Sequence, residues 1–183
     1  KQVTIPLEVL PKEMLDYILT MGRGYLTNSG LHFMDVDPAK INLEIHSIWA
    51  TDTEEHDYNP CHSHYGLMSG VFYLKIPPQV SEVNEEGSFN FHHAEDGYVD
   101  INPLQSIRPK GYDMVIPDAG KFLIFPAWLK HSVTPFFGSG IRRAVSFNLI
   151  CPEASERTST PMFEGSLKID TAGGPDAKIQ GDR

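Results

Sequence analysis

Apolar residues change their spacing along this chain near residue 40. Before it, in Pro11-Lys-Glu-Met-Leu-Asp-Tyr-Ile-Leu-Thr-Met21, Met14, Leu15, Ile18 and Leu19 recur at helical spacing and make one apolar stripe. Pro11 suits a first helical position and Gly22 is a natural stop, so a helix is expected over 11–21. A polar, glycine-containing stretch follows. Beyond residue 40 come short runs rich in β-branched and aromatic residues, punctuated by Gly, Pro and Asn. They predict strands over 41–50, 70–76, 88–93, 113–116, 121–126, 131–136 and 141–150. Strands so spaced favour an antiparallel sandwich or barrel, an all-β core with the helix packed outside. No internal repeat is present.

The connections differ in character. Residues 79–87 are acidic and polar, close on Gly87, and read as a hairpin loop. Residues 94–112 make a longer connection with Pro103 and Pro109, a length often used for functional lids. The expected layout is one domain over 1–152, its β core at about 41–150, and a polar tail over 153–183.

Composition narrows the function classes. The 183 residues, 40% of them hydrophobic, suffice for one domain with a real core. A formal net charge of -9 gives no general reason to bind nucleic acid or an anionic membrane, and Arg142-Arg143 is the only seed of a basic patch. Cys61 and Cys151 are too few for a disulfide framework. Reduced thiols, no apolar leader in the first residues and no stretch of membrane-span length make a soluble cytoplasmic protein the expectation.

Two places carry candidate chemistry. In Pro60-Cys-His-Ser-His64, two imidazoles stand two residues apart, and His131 follows the apolar run Phe122-Leu-Ile-Phe-Pro126. On a strand, residues i and i+2 share a face about 6.6 Å apart, so His62 and His64 can converge on one metal ion and His131 can join from a neighbouring strand. Neutral imidazole suits iron, zinc, copper and nickel. In Ile141-Arg-Arg-Ala-Val-Ser-Phe-Asn-Leu149, alternate positions separate Val145, Phe147 and Leu149 from Arg142, Ala144, Ser146 and Asn148. The second set is poor core but suits a pocket for a carboxylate, which guanidinium binds through paired charge-assisted hydrogen bonds. Ser146 can add a donor to the same anion, while Arg143 falls on the other phase, as a surface charge or ion-pair partner.

With those motifs quoted, the chain resembles the 2-oxoglutarate/Fe(II)-dependent oxygenase superfamily, in particular small oxygenases of phages and marine bacteria that carry His-x-His followed by Ser-Gly-Val-[Phe/Tyr]-Tyr-Leu-Lys. The matching segments are His62-Ser-His64, Ser69-Gly-Val-Phe-Tyr-Leu-Lys-Ile-Pro77, Gly120 to His131, and Arg142-Arg-Ala-Val-Ser-Phe-Asn148. They cover roughly 41–150; the tail is outside them. The resemblance implies a double-stranded β-helix (jelly roll) holding Fe(II), with His131 as the distal histidine. It also implies that Arg142 grips the C5 carboxylate of 2-oxoglutarate and that the Tyr73 hydroxyl assists. The implied activity is hydroxylation of a substrate with decarboxylation of 2-oxoglutarate to succinate. A neutral or cationic small molecule or peptide fits the acidic loops; no nucleic-acid or membrane partner is expected.

One position departs from the family. The usual triad is two histidines and a carboxylate two residues after the first, and His64 stands at that place. Three readings stay open: a three-histidine face of His62, His64 and His131; one of His62 and His64 with Asp57 or Glu55; or a weakly held or different metal. Two other classes also fit in part. A cupin shares Gly120-x5-Pro126-x4-His131 but lacks the glycine and glutamate of the first cupin motif and has no use for Arg142. A non-catalytic jelly-roll binding module would keep the pocket alone. Trp128 is expected to pack or to edge the pocket, and Cys61 to be a small buried thiol rather than a soft ligand. His32, His46 and His56 have no partners at ligand spacing. Adjacent His92 and His93 face opposite ways on a strand, so at least one of them is exposed.

Overall fold

The computed structural model describes residues 1–29, 37–81, 85–92 and 112–152. They form two antiparallel sheets and one long helix. The strands are β1 (Gln2–Thr4), β2 (Glu44–Thr53), β3 (Asn59–His62), β4 (Met68–Lys75), β5 (Phe89–His92), β6 (Tyr112–Val115), β7 (Phe122–Pro126), β8 (His131–Val133) and β9 (Arg142–Ile150). One sheet runs β1-β2-β9-β4-β7, the other β3-β8-β5-β6. Pairing is nested: β2 with β9, β3 with β8, β4 with β7 and β5 with β6. The two cross-connections β4–β9 and β5–β8 then assemble each sheet.

All seven expected strands are present within a few residues of their anticipated ends. β1 and β3 are additional. β3 carries Pro60, which lacks a ladder donor, and three of its four residues are exposed. An edge strand of the second sheet tolerates both features.

The helix α1 (Lys12–Asn28) overruns its expected end at 21, and Pro11 stands just before it. Gly22 does not stop it, because Gly22 is part of the packed face with Ile18 and Leu26. A Cβ there would sit 2.7 Å from Leu149 Cδ1, so the missing side chain lets the helix lie close against β9. The end comes instead where Ser29 N–H and Oγ–H both donate to the Leu26 carbonyl, satisfying an end-of-helix acceptor.

β9 separates the two sides of the first sheet. Val145, Phe147 and Leu149 join Ile18, Leu26, Leu43, Ile48 and Met68 in the core beneath α1. The opposite face of β9 turns toward the second sheet. There Val71, Tyr73, Phe89, Phe125 and Ala144 make a second buried cluster, and the space beside it is a cleft. No helix among the described residues is long and apolar enough to cross a membrane.

Candidate metal centre

His62 ends β3 and His131 begins β8, and the two are direct Cα partners across the ladder. His64 lies beyond β3, so it does not reach the cluster by the two-residue pleat that the sequence suggests. Its position is fixed by the connection: His64 N–H donates to the Ala127 carbonyl (2.9 Å), and Ala127 N–H donates to Leu67 (3.1 Å). That strap returns the chain toward the start of β8. The three rings meet with one nitrogen from each inside a 4.8 Å cluster.

Ring orientation is set by the protein. His62 Nδ1 donates to the Pro60 carbonyl at 2.7 Å and His131 Nδ1 to the Leu129 carbonyl at 2.9 Å. Nε2 is then the acceptor nitrogen of each neutral ring, facing Asn59 Nδ2 at 3.5 Å in His62 and His64 Nε2 at 3.2 Å in His131, and outer hydrogen bonds of this kind aim metal-ligating imidazoles. His131 is further held by Phe89, stacked at 5.0 Å, and by the edge contact of Phe125 at 4.9 Å. Trp49 lies 5.6 Å from the His64 ring. Burial pushes the His131 pKa down to about 4 and lowers that of His64 as well. Both rings are thus neutral at pH 7, as ligation requires.

Among the described residues no carboxylate joins this cluster. Asp57 borders the cleft, but its Oδ2 accepts from the Glu54 N–H at 2.8 Å; Glu55 Oε1 accepts from the Gly138 N–H at 2.8 Å.

The histidines open on a cleft of about 720 Å³ lined by Arg142, Ala144, Ser146 and Asn148 of β9. Arg142 is only 4% exposed, yet among the described residues no carboxylate pairs with it. Its Nη2 makes one long hydrogen bond (3.4 Å) to Tyr73 Oη, and its Nε is buried with no partner. Tyr73 is itself fully buried, with its ring centre 5.0 Å from the guanidinium carbon. Burial lowers the Arg142 pKa and raises that of Tyr73. A buried guanidinium with an unused donor is costly unless something anionic completes it. Arg143, on the other phase, makes a two-point pair with Asp52 at 2.7 Å and 2.7 Å.

With this geometry in hand, comparison with known proteins is decisive at one point. Residues 47–148 match the family described as "Putative 2OG-Fe(II) oxygenase", more than half of the chain. The protein belongs to this family. Iron(II) and 2-oxoglutarate are the cofactors that go with that membership.

No curated protein matches the chain. Similar solved folds include a viral collagen prolyl hydroxylase from Paramecium Bursaria Chlorella virus-1 in its 2-oxoglutarate complex. It shares 18% identity, 81% of this chain is covered and 77% of that one, and the TM-score is 0.47. HygX from Streptomyces hygroscopicus with nickel and 2-oxoglutarate bound shares 11% identity over 81% of each chain, at TM-score 0.42. A 2OG-Fe(II) oxygenase-family oxidoreductase from Burkholderia pseudomallei shares 13% identity and 61% of this chain is covered, at TM-score 0.46. This chain spans only 46% of that last protein.

The residues of this oxygenase-family chain suit both cofactors. Three imidazole nitrogens within 4.8 Å of one another suit a divalent metal, and the orphaned Arg142 Nε suits a carboxylate. Ser146 borders the same cleft two positions from Ala144. Other expectations are corrected. Trp128 is 73% exposed and does not edge the cleft, because it sits on the outside of the turn before β8. Trp49 lines the cleft instead. Cys61 is exposed rather than buried, since it alternates with His62 on an edge strand. His46 and His56 lie away from the cluster, and His92 bonds Ser132 Oγ at 2.8 Å. His32, His93, the 94–111 connection and the 153–183 tail lie outside the described residues.

Trp49 was legible in principle. Ser47, Trp49, Thr51 and Thr53 alternate with Ile48 and Ala50, and all four line the cleft.

Proposed function

We propose that the cleft is the active site of a 2-oxoglutarate-dependent iron oxygenase of the double-stranded β-helix type. In this reading His62, His64 and His131 hold Fe(II), and Arg142 binds the distal carboxylate of 2-oxoglutarate. The nested pairing of β2 to β9 across two sheets supports the jelly-roll assignment. The observation that carries the function is the buried, unpaired Arg142 on the floor of the cleft that the three histidines border.

When bound, iron(II) with O2 and 2-oxoglutarate supplies the oxidation: one oxygen atom goes to the substrate as a hydroxyl, the other into succinate, and CO2 leaves. The chain's own residues bind and orient. The carbonyls of Pro60 and Leu129 keep two imidazoles aimed. Arg142 supplies its unused Nε–H and guanidinium charge to the carboxylate, with Tyr73 fixing one edge of the guanidinium. Ser146, four residues along the same face, borders the cleft and would offer a hydroxyl donor to the cosubstrate. Three neutral ligands leave the metal one positive charge richer than a set with a carboxylate, which favours an anionic cosubstrate.

Anaerobic reconstitution with Fe(II) tests the reading. The native protein should retain iron and release succinate from 2-oxoglutarate, and His131→Ala should lose the metal. Iron content unchanged in His131→Ala would refute the assignment of the centre.

A further inference from the structure

The cleft floor continues past the metal centre to a second polar station, which the reading above leaves without a role. Asn148 lies six residues from Arg142 on the same face of β9, roughly 20 Å along the strand. Its Cα partners on the two flanking strands are Ser47 of β2 and Ser69 of β4. Both bond it: Ser69 Oγ–H donates to Asn148 Oδ1 at 2.7 Å, and Asn148 Nδ2–H donates to Ser47 Oγ at 3.3 Å. Ser69 is 1% exposed and Asn148 8%, and all three residues line the cleft. The centre stands between the two stations in register, because His64 packs on Trp49, whose Cα partner is Ser146.

The two serines fix the amide plane and leave work for it. A carboxamide has two N–H donors and two acceptor lone pairs, and the serines use one of each. One donor and one acceptor therefore remain. By register the neighbours of Asn148 on the cleft face are Ser47 and Trp49 of β2 and, on the other side, Ser69 of β4 with Phe125 of β7 beyond it, and none of these four carries a charge. A charged group placed there would be desolvated with no side chain of opposite charge beside it. A neutral amide would instead meet an acceptor with its N–H, meet a donor with its C=O, and lay its flat face beside the Trp49 indole.

We propose that Asn148, held by Ser47 and Ser69, is the specificity-determining group for the hydroxylated substrate, and that it selects a neutral amide, either a peptide group or a carboxamide. This rests on the oxygenase reading, with Arg142 on one side of the metal and the substrate on the other.

The test uses Trp49 as reporter. The chain has two tryptophans, so Trp128→Phe, at an exposed position, leaves Trp49 alone. Mn(II)-loaded protein saturated with 2-oxoglutarate, so that the metal and Arg142 are already occupied, is titrated with N-acetylglycine N-methylamide and, separately, with the carboxylate N-acetylglycine. For fragments of this size a dissociation constant on the order of 1–10 mM is expected for the diamide. The carboxylate should bind at least about fivefold more weakly. Asn148→Asp, which replaces the donor by a charge, should weaken the diamide by about tenfold or more. Ser47→Ala should weaken it by about threefold with the fold intact by circular dichroism, which keeps the test available if the first variant does not fold.

No saturable response to the diamide, equal binding of the carboxylate, or a diamide affinity unmoved in both variants overturns the proposal. Calorimetric titration of the Mn(II)-loaded protein with 2-oxoglutarate, before any fragment is added, separates the two levels. Loss of 2-oxoglutarate binding with the amide response intact would count against the oxygenase reading. The reverse result would count against Asn148 alone.

Discussion

His64 Nε2 and His131 Nε2 stand 3.2 Å apart, each on a ring whose pKa is lowered by burial. Two nitrogens bound about 2.0–2.1 Å from one metal at 90–109° lie roughly 2.9–3.4 Å from each other, so this separation fits two ligands on one ion. Without metal the contact is a hydrogen bond in which one ring keeps its Nε2 proton, and a bound cation takes both lone pairs instead. Metal should therefore stabilise the fold. At a free metal concentration of 100 times the dissociation constant the gain is about 2.7 kcal/mol, or roughly 5–11 °C in Tm for a chain of this size. Differential scanning with and without Fe(II) under nitrogen should show the rise in the native protein. EDTA should reverse it, and His131→Ala should not show it.

The buried guanidinium makes an unusual stability prediction. Without an anion Arg142 is an unpaired buried charge, so Arg142→Met in the unliganded protein should be neutral or stabilising, by up to about 1–4 kcal/mol. Urea unfolding measures this. A loss of several kcal/mol would show that Arg142 holds the fold together through contacts rather than waiting for a ligand.

Neighbouring arginines give an internal control. Arg143 is exposed and paired with Asp52, and the Asp52 carboxyl is held below its ordinary pKa by that pair. Arg143→Met should leave 2-oxoglutarate affinity within about twofold while making stability slightly less salt-sensitive. A large loss of affinity would mean that β9 presents its other face to the cosubstrate.

Two glycines of α1 should answer oppositely to alanine. Gly24 has nothing within 4 Å of an added Cβ, so Gly24→Ala should stabilise by about 1 kcal/mol through helix propensity. At Gly22 the same propensity gain meets a 2.7 Å approach to Leu149, and overpacking costing about 1–3 kcal/mol should make the net change unfavourable. Chemical denaturation of the pair tests the register of α1 on β9.

What the sequence disclosed depended on which interaction sets each position. The alternation of β9 is a local signal, and it placed Arg142, Ser146 and Asn148 on the cleft side. The strands around the apolar runs were legible for the same reason. The helix end was not, because Gly22 is kept by a contact with Leu149 127 residues away, and only the folded chain reveals that it packs rather than stops. His-x-His was visible as a metal motif, but the reason for its convergence was not. His62 is placed by its ladder with His131, and His64 by the Ala127 hydrogen bond. Trp128 and Trp49 show the same limit: their hydrophobicity is equal, and only their topology puts one outside and the other on the cleft.

In the proposed oxygenase the histidine cluster and Arg142 form one site, the first for iron and the second for 2-oxoglutarate. Anaerobic titration of the Fe(II)-loaded protein with 2-oxoglutarate, followed by visible absorbance, tests it most directly. The native protein should develop a saturable charge-transfer band. Arg142→Met should keep its iron and need at least about 100-fold more 2-oxoglutarate, the scale expected for losing paired charge-assisted hydrogen bonds. A native protein that develops no band, or a variant that saturates at the native concentration, would show that the histidines and Arg142 do not share such a site.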